Sequence, residues 1–128
     1  MNRSPLKKSS KHPASQAKES DIQRQILEWL AYEKIFHYRN NSGAFKREDG
    51  HFYRFGAVGS PDVICVIGGQ YIGIEVKGKT GKQSDHQKEF QQELEKAGGK
   101  YILARKLEDV YELKRLKVEI EKLKGQQK

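Results

Sequence analysis

The sequence predicts an α/β domain, a mixed β-sheet flanked by helices. Three observations predict it. Two apolar runs meet at Gly68-Gly69, the kind of two-residue hairpin turn that needs positive φ. Segments opening near Glu19, Ser84 and Asp109 repeat apolar residues every three or four positions, the helical period. Along the chain the order is helix, strand, loop or hairpin, two strands, helix, strand, helix, and a sheet with helices on its faces packs such an order most naturally.

The 128 residues suffice for one domain with a modest core. Charged residues make up 33% and the formal net charge is +8, which favours a polyanionic partner, either nucleic acid or an anionic membrane surface. No apolar run approaches the ~20 residues of a membrane span, and no apolar signal-peptide region stands near the N-terminus. The single cysteine, Cys65, can form no internal disulfide and reads as a small buried hydrophobe. One cysteine and scattered histidines argue against cysteine-ligated zinc. The expected home is a reducing cytoplasm.

Residues 1–18 hold five Lys or Arg and no acid. They read as a disordered basic tail, serving either solubility or loose phosphate contacts. Residues 19–34 form the first helix, with Ile22, Ile26, Trp29 and Leu30 on one stripe. Glu19, seven residues before Ile26, falls on the same stripe, with Gln23 on its flank. Glu28 faces the other way, and Glu33 is expected as a surface residue at the helix end. An acid on an apolar stripe is either a first-turn anion favoured by the helix dipole or a group pointing into a site. Residues 35–41 read as a strand that turns at Asn41-Ser42-Gly43. Residues 44–58 interleave aromatics with bases, among them Lys46, Arg47 and Arg54, around an Asp49-Gly50 turn signal. Either this is a small exposed hairpin or a loop suited to phosphates and stacked bases.

The central hairpin follows. With the turn at Gly68-Gly69, Ile67 faces Gln70, and counting outward sets Asp62 opposite Glu75. Opposed residues have Cβ atoms roughly 4.5–5.5 Å apart. Alternation puts Tyr71, Gly73, Glu75 and Lys77 on one face with Asp62, and Ile72, Ile74 and Val76 on the core face. Two carboxylates this close repel. A divalent cation would relieve them, since hard carboxylate oxygens suit Mg²⁺ and Mn²⁺. The plainer alternative is a salt-bridged rim in which Lys77 neutralises Glu75. The link from Gly78 to Lys82, with Lys79, is basic and flexible but lacks P-loop spacing. A second helix opens at Ser84, where Ser84-Asp85-His86-Gln87 fits a capping box. Gln87 also shares an inward face with Phe90, Leu94 and Ala97. Gly98-Gly99 ends that helix, and residues 100–105 form a further strand. Asp109 is expected to start the last helix, with Glu112 three residues on. Its seam of Val110, Leu113, Leu116, Ile120 and Leu123 either packs on the sheet or invites a partner helix.

Pro61-Asp62 followed by Glu75-x-Lys77, behind a glutamate-bearing helix, resembles the signature of the PD-(D/E)XK nucleases. The Gly59-x-Pro61-Asp62 start and the stretch after Lys77 resemble the VRR-NUC (virus-type replication-repair nuclease) branch, from about Glu19 to Arg105. The resemblance implies a restriction-endonuclease-like core in residues 19–105, with 106–128 as a packing or dimer helix. It implies a Mg²⁺- or Mn²⁺-dependent endonuclease acting on DNA. Asp62, Glu75 and the backbone carbonyl of Val76 would ligate metal, Glu19 would bind metal or its water, Lys77 would hold the attacking water, and Gln87 would steady the site. Arg39-x-Asn41 resembles the family's entry to the site. Arg39, Asn41, Lys46, Arg47, Arg54, Lys79 and Lys82 are the candidate DNA contacts. Compact relatives act on branched DNA, so a four-way junction cut by a homodimer is the leading expectation. A restriction-type nuclease and a non-catalytic DNA-binding module are the alternatives.

Overall fold

The computed structural model describes residues 18–41 and 43–126, with the side chains of residues 43–45 and 52–55 left out of that description. The expected basic tail therefore lies outside the described residues, apart from Lys18.

The order of elements is α1 (Glu19–Tyr32), β1 (His37–Arg39), β2 (Gly43–Lys46), β3 (Phe52–Phe55), β4 (Val63–Ile67), β5 (Gln70–Val76), α2 (Asp85–Lys96), β6 (Lys100–Ala104), a 3-10 turn (Leu107–Val110) and α3 (Glu112–Gln126). Four strands form a mixed sheet in the order β1-β4-β5-β6, and β2 pairs with β3 as a separate ribbon. β1, β4 and β5 are antiparallel neighbours, while β6 runs parallel to β5. The parallel pairing needs a crossover, and α2 supplies it.

The central hairpin has the expected register, Ile67 opposite Gln70 through Val63 opposite Ile74. Gly68 and Gly69 take φ values of 58° and 82°, so both turn positions are left-handed, as this hairpin type requires. Asp49-Gly50 likewise lies in the loop of the β2–β3 hairpin, with Gly50 at φ 89°.

One sheet face is buried against α1, the 3-10 turn and α3. Ile22, Ile26 and Leu30 of α1 meet Val63, Cys65, Ile72, Ile74, Val76, Ile102 and Ala104 there, with Val110 and Leu113 closing the core. Cys65 is fully buried and its thiol is pushed up to about 12 by that burial, so it is an inert packing group. α2 lies on the opposite side of the sheet, over β6.

Three expectations need correction. β1 is shorter than residues 35–41, because Ile35 leaves the helix in a capping turn, its N–H bonding to Leu30 O at 2.9 Å. The last helix starts at Glu112 and not at Asp109. Asp109 Oδ2 instead accepts the Arg105 N–H at 2.8 Å, which makes it the anchor of the turn between β6 and the 3-10 segment. Glu33 is not a free surface residue: its side chain is only 15% exposed under α3, with Lys114 Nζ at 3.6 Å. The α3 seam is divided. Leu113 is buried, Leu116 and Ile120 pack against the core, and Leu123 stays 55% exposed.

Candidate active site

The strand register places Asp62 one step beyond the ladder at Val63–Ile74, level with Glu75. Asp62 is fixed from three directions. Its backbone carbonyl accepts the Asn40 N–H at 2.8 Å. The Asn40 side-chain amide donates to Ser60 Oγ at 2.7 Å and Pro61 O at 3.0 Å, which holds the two residues before Asp62. Asp62 Oδ2 accepts the Val76 N–H at 2.8 Å. Gly73 makes the approach possible, since a Cβ there would overlap the Pro61 ring.

Glu75 is 3% exposed. Its Oε2 accepts a hydrogen bond from Gln87 Nε2 at 2.8 Å and pairs with Lys77 Nζ at 3.4 Å. Its Oε1 is buried and has no hydrogen-bond partner. Burial, and then repulsion by Asp62, push the Glu75 carboxyl up to about 7 against the pull of Lys77. Burial raises Asp62 as well, with Glu19 adding to the rise, while the Val76 N–H, Lys77 and Arg39 oppose it.

Gln87 serves both of the roles that its sequence context offered. Its Oε1 accepts the Ser84 N–H at 2.9 Å, completing the capping box of α2, while its Nε2 donates to Glu75. One planar amide thus ties the start of a helix to a buried acid. Glu19 stands in the first turn of α1 with its Oε2 and the Lys77 stem both against Gly81. It acts on Asp62 and Glu75 through charge. Glu28 points away, exposed and paired with Arg24 at 3.4 Å.

The structure therefore gathers Asp62, Glu75, Lys77 and Gln87 tightly, with Glu19 at their rim. Val76 enters through its N–H. Among the described residues no group of three or more His, Cys, Asp and Glu side chains is drawn together as a metal cluster. Two converging acids with a buried oxygen lacking a partner nevertheless fit a hard divalent cation, because such an ion would satisfy Glu75 Oε1 and remove the repulsion with Asp62.

The outer candidates are less uniform. Arg39 is exposed and within electrostatic reach of Asp62. Asn41 is exposed, and it is its neighbour Asn40 that grips the Asp62 segment. Lys46 and Arg47 sit exposed at the β2–β3 loop, and the Arg54 side chain lies outside the described residues. Lys79 and Lys82 are exposed on the link after Lys77. Sequence reasoning missed Asn40, Arg105 and Tyr101. The Arg105 guanidinium donates to Gly78 O at 2.6 Å and Lys79 O at 3.3 Å, clamping that link. The Tyr101 hydroxyl accepts from Gln83 Nε2 at 3.1 Å, and burial first, then Glu75 and Asp62, push it up to about 12. The available signals were slight: an asparagine beside a strand end, and an arginine four residues before an aspartate.

A four-stranded mixed sheet with helices on both faces, and at its end a buried Glu75 with the half-buried Asp62 and a lysine beside it, is compatible with a nuclease-like fold. The family model described as the VRR-NUC domain matches residues 14–106, and the chain belongs to that family. Membership implies a nuclease that acts on DNA. No curated protein and no solved structure matched the chain. Among the described residues no helix is long and apolar enough to cross a membrane.

Proposed function

We propose that the protein is a Mg²⁺- or Mn²⁺-dependent endonuclease of the PD-(D/E)XK type that hydrolyses phosphodiester bonds in structured DNA, with four-way junctions as the leading substrate. In this reading residues 19–105 are the nuclease unit and 106–128 brace it. The observation that carries the reading is the buried, partnerless Oε1 of Glu75, a carboxyl that Asp62 repels. Asp62, Glu75 and the Val76 carbonyl would hold the ion, with Glu19 binding it or its water. The ion, when bound, supplies a Lewis acid that makes water a better nucleophile at neutral pH and screens the phosphate.

The chain's own groups do the rest. Lys77 Nζ, 3.4 Å from Glu75 Oε2, holds the attacking water and offsets charge developing on the phosphate. Gln87 holds one oxygen of the Glu75 carboxylate and leaves the other, Oε1, for the ion. Asn40 fixes the backbone of Asp62. Arg39, Asn41, Lys46, Arg47, Arg54, Lys79 and Lys82 would contact phosphates along the substrate.

A junction presents symmetric strands, and one chain of this size holds one such centre. A homodimer with twofold symmetry would present two. Leu116 and Ile120 are already used by the core, so the α3 surface left for a partner centres on Leu123.

The test is a substrate panel of linear duplex, flap, fork, four-way junction and single strand, each with and without Mg²⁺ or Mn²⁺. Metal-dependent cutting that favours the junction supports the proposal. Cutting of one linear duplex at a fixed sequence would replace it with a restriction-type activity.

A further inference from the structure

The sheet face that carries the acids leaves aromatic side chains exposed toward the β1 edge, although Ile64 and Gly73 in its middle are buried, Gly73 under the Pro61 ring. Alternation fixes its rows. Asp62 and Glu75 form the end row. In the next, Tyr38 is opposite Ile64 and Ile64 opposite Gly73. In the third, Val66 bonds through its N–H to Phe36 O at 3.2 Å and stands opposite Tyr71. These residues belong to the side of the sheet away from Ile72, Ile74 and Val76. α2 packs on that side over β6, whereas β1 is the far edge. Phe36, Tyr38 and Val66 are consequently 67%, 49% and 37% exposed. Tyr71 is half-buried beside them, its hydroxyl raised by that burial and by the neighbouring Tyr38 phenol.

An exposed cluster of Phe36, Tyr38 and Val66 beside a candidate site offers a docking surface. A second copy of the chain fits poorly: at ~150–250 Å² per aromatic side chain the exposed fractions reach about 300 Å², short of the ~800 Å² each partner contributes to a stable interface. The DNA substrate fits better. Tyr38 lies two residues along the strand direction from the level of Asp62, roughly 7 Å at ~3.3 Å per residue, within reach of a nucleotide adjoining a phosphate held at the acids. Arg39 is exposed on the same edge strand and acts on Asp62 through charge, although alternation sets it on the opposite face, level with Val63. Bases still paired in a duplex keep their faces stacked; only unpaired ones can lie on a flat aromatic surface.

We propose that Phe36, Tyr38, Val66 and Tyr71 form a stacking platform for unpaired nucleobases next to the scissile phosphate, so that the enzyme selects branched DNA with unpaired bases at the branch point and takes a four-way junction only when base pairs at its centre open. The proposal rests on the nuclease reading of the adjoining acids and gives that site its substrate class.

The test compares a fork carrying 2-aminopurine at its first unpaired position with a fully paired duplex of the same sequence, both in EDTA so that neither is cut. The wild type should prefer the fork and quench the 2-aminopurine. Combined Phe36→Ala and Tyr38→Ala should weaken fork binding about tenfold or more, change duplex binding less than about twofold, and abolish quenching. Tyr38→Phe should retain all three properties. If the double variant proves unfolded, Phe36→Ala alone, at an outward-facing ring, must still reduce quenching. Equal losses on both DNAs would overturn the proposal. So would sedimentation showing a wild-type dimer that the double variant converts to monomer, since the face would then be a protein interface. The nuclease reading fails by a different result, absence of cleavage of every DNA with Mg²⁺ or Mn²⁺ while the stacking signals stand.

Discussion

Glu75 is held in a conflict that only a proton or a cation resolves. Without metal, the folded state keeps its proton to about pH 7, whereas an ordinary glutamate releases it near 4.5. Between those values the folded state binds more protons than the unfolded one, so stability falls as pH rises, by at most ~1.4 kcal/mol per pH unit for one group. Asp62, also raised, adds to the fall at lower pH. Urea melts in EDTA should therefore show greater stability at pH 5 than at pH 7.5, and Glu75→Gln should flatten the difference. A wild type whose stability climbs over that interval would contradict the burial argument. Gln87 gives a second residue-scale prediction. Gln87→Glu keeps a residue that closes a capping box but replaces the donor to Glu75 with another carboxylate. Thermal stability of α2 should hold at mildly acidic pH, while cleavage falls at least about tenfold. Ser84→Ala should do the reverse, costing about 1 kcal/mol of stability with cleavage nearly unchanged. Glu19→Gln should impair cleavage and Glu28→Gln should not, because only Glu19 lies at the rim of the acid pair.

At the scale of elements, the site stands where β4 begins, β5 ends and α2 begins, and Asn40 joins it to the strand next door. Asn40→Ala removes both hydrogen bonds to Ser60 and Pro61. It should cost about 1–3 kcal/mol and lower the turnover rate more than substrate affinity, which titration of rate against DNA concentration would check. The hairpin geometry was legible because a period of two leaves no freedom once the glycine turn is placed. That reasoning set Asp62 opposite Glu75, and alternation separated their face from Ile72, Ile74 and Val76. The grips of Asn40 and Arg105 were not legible, because each donates to backbone carbonyls more than twenty residues away, to which any residue type could contribute. The start of α3 was misplaced for a related reason: Asp109 has the chemistry of a helix cap, but the Arg105 N–H claims its carboxylate first. The long seam of α3 showed which positions were apolar but not where the core stops covering them. Leu116→Lys with Ile120→Lys should therefore lower stability in the isolated chain, each by up to about 2–5 kcal/mol, the range of a core truncation, before it tests any dimer.

For the whole molecule, the chain carries a formal charge of +8, whereas the acids of its site would by themselves repel DNA. Binding should come chiefly from phosphate contacts and weaken steeply with salt, whereas cutting should depend on the acid pair. These two properties separate cleanly in one experiment. Single-turnover cleavage of a labelled four-way junction with Mn²⁺, alongside binding of the same junction, would compare the wild type with Glu75→Gln, an isosteric change that removes the charge. The account predicts metal-dependent cutting by the wild type, a loss of at least about 100-fold in the variant, and binding within a few fold. A Glu75→Gln protein that cuts at the wild-type rate would contradict it.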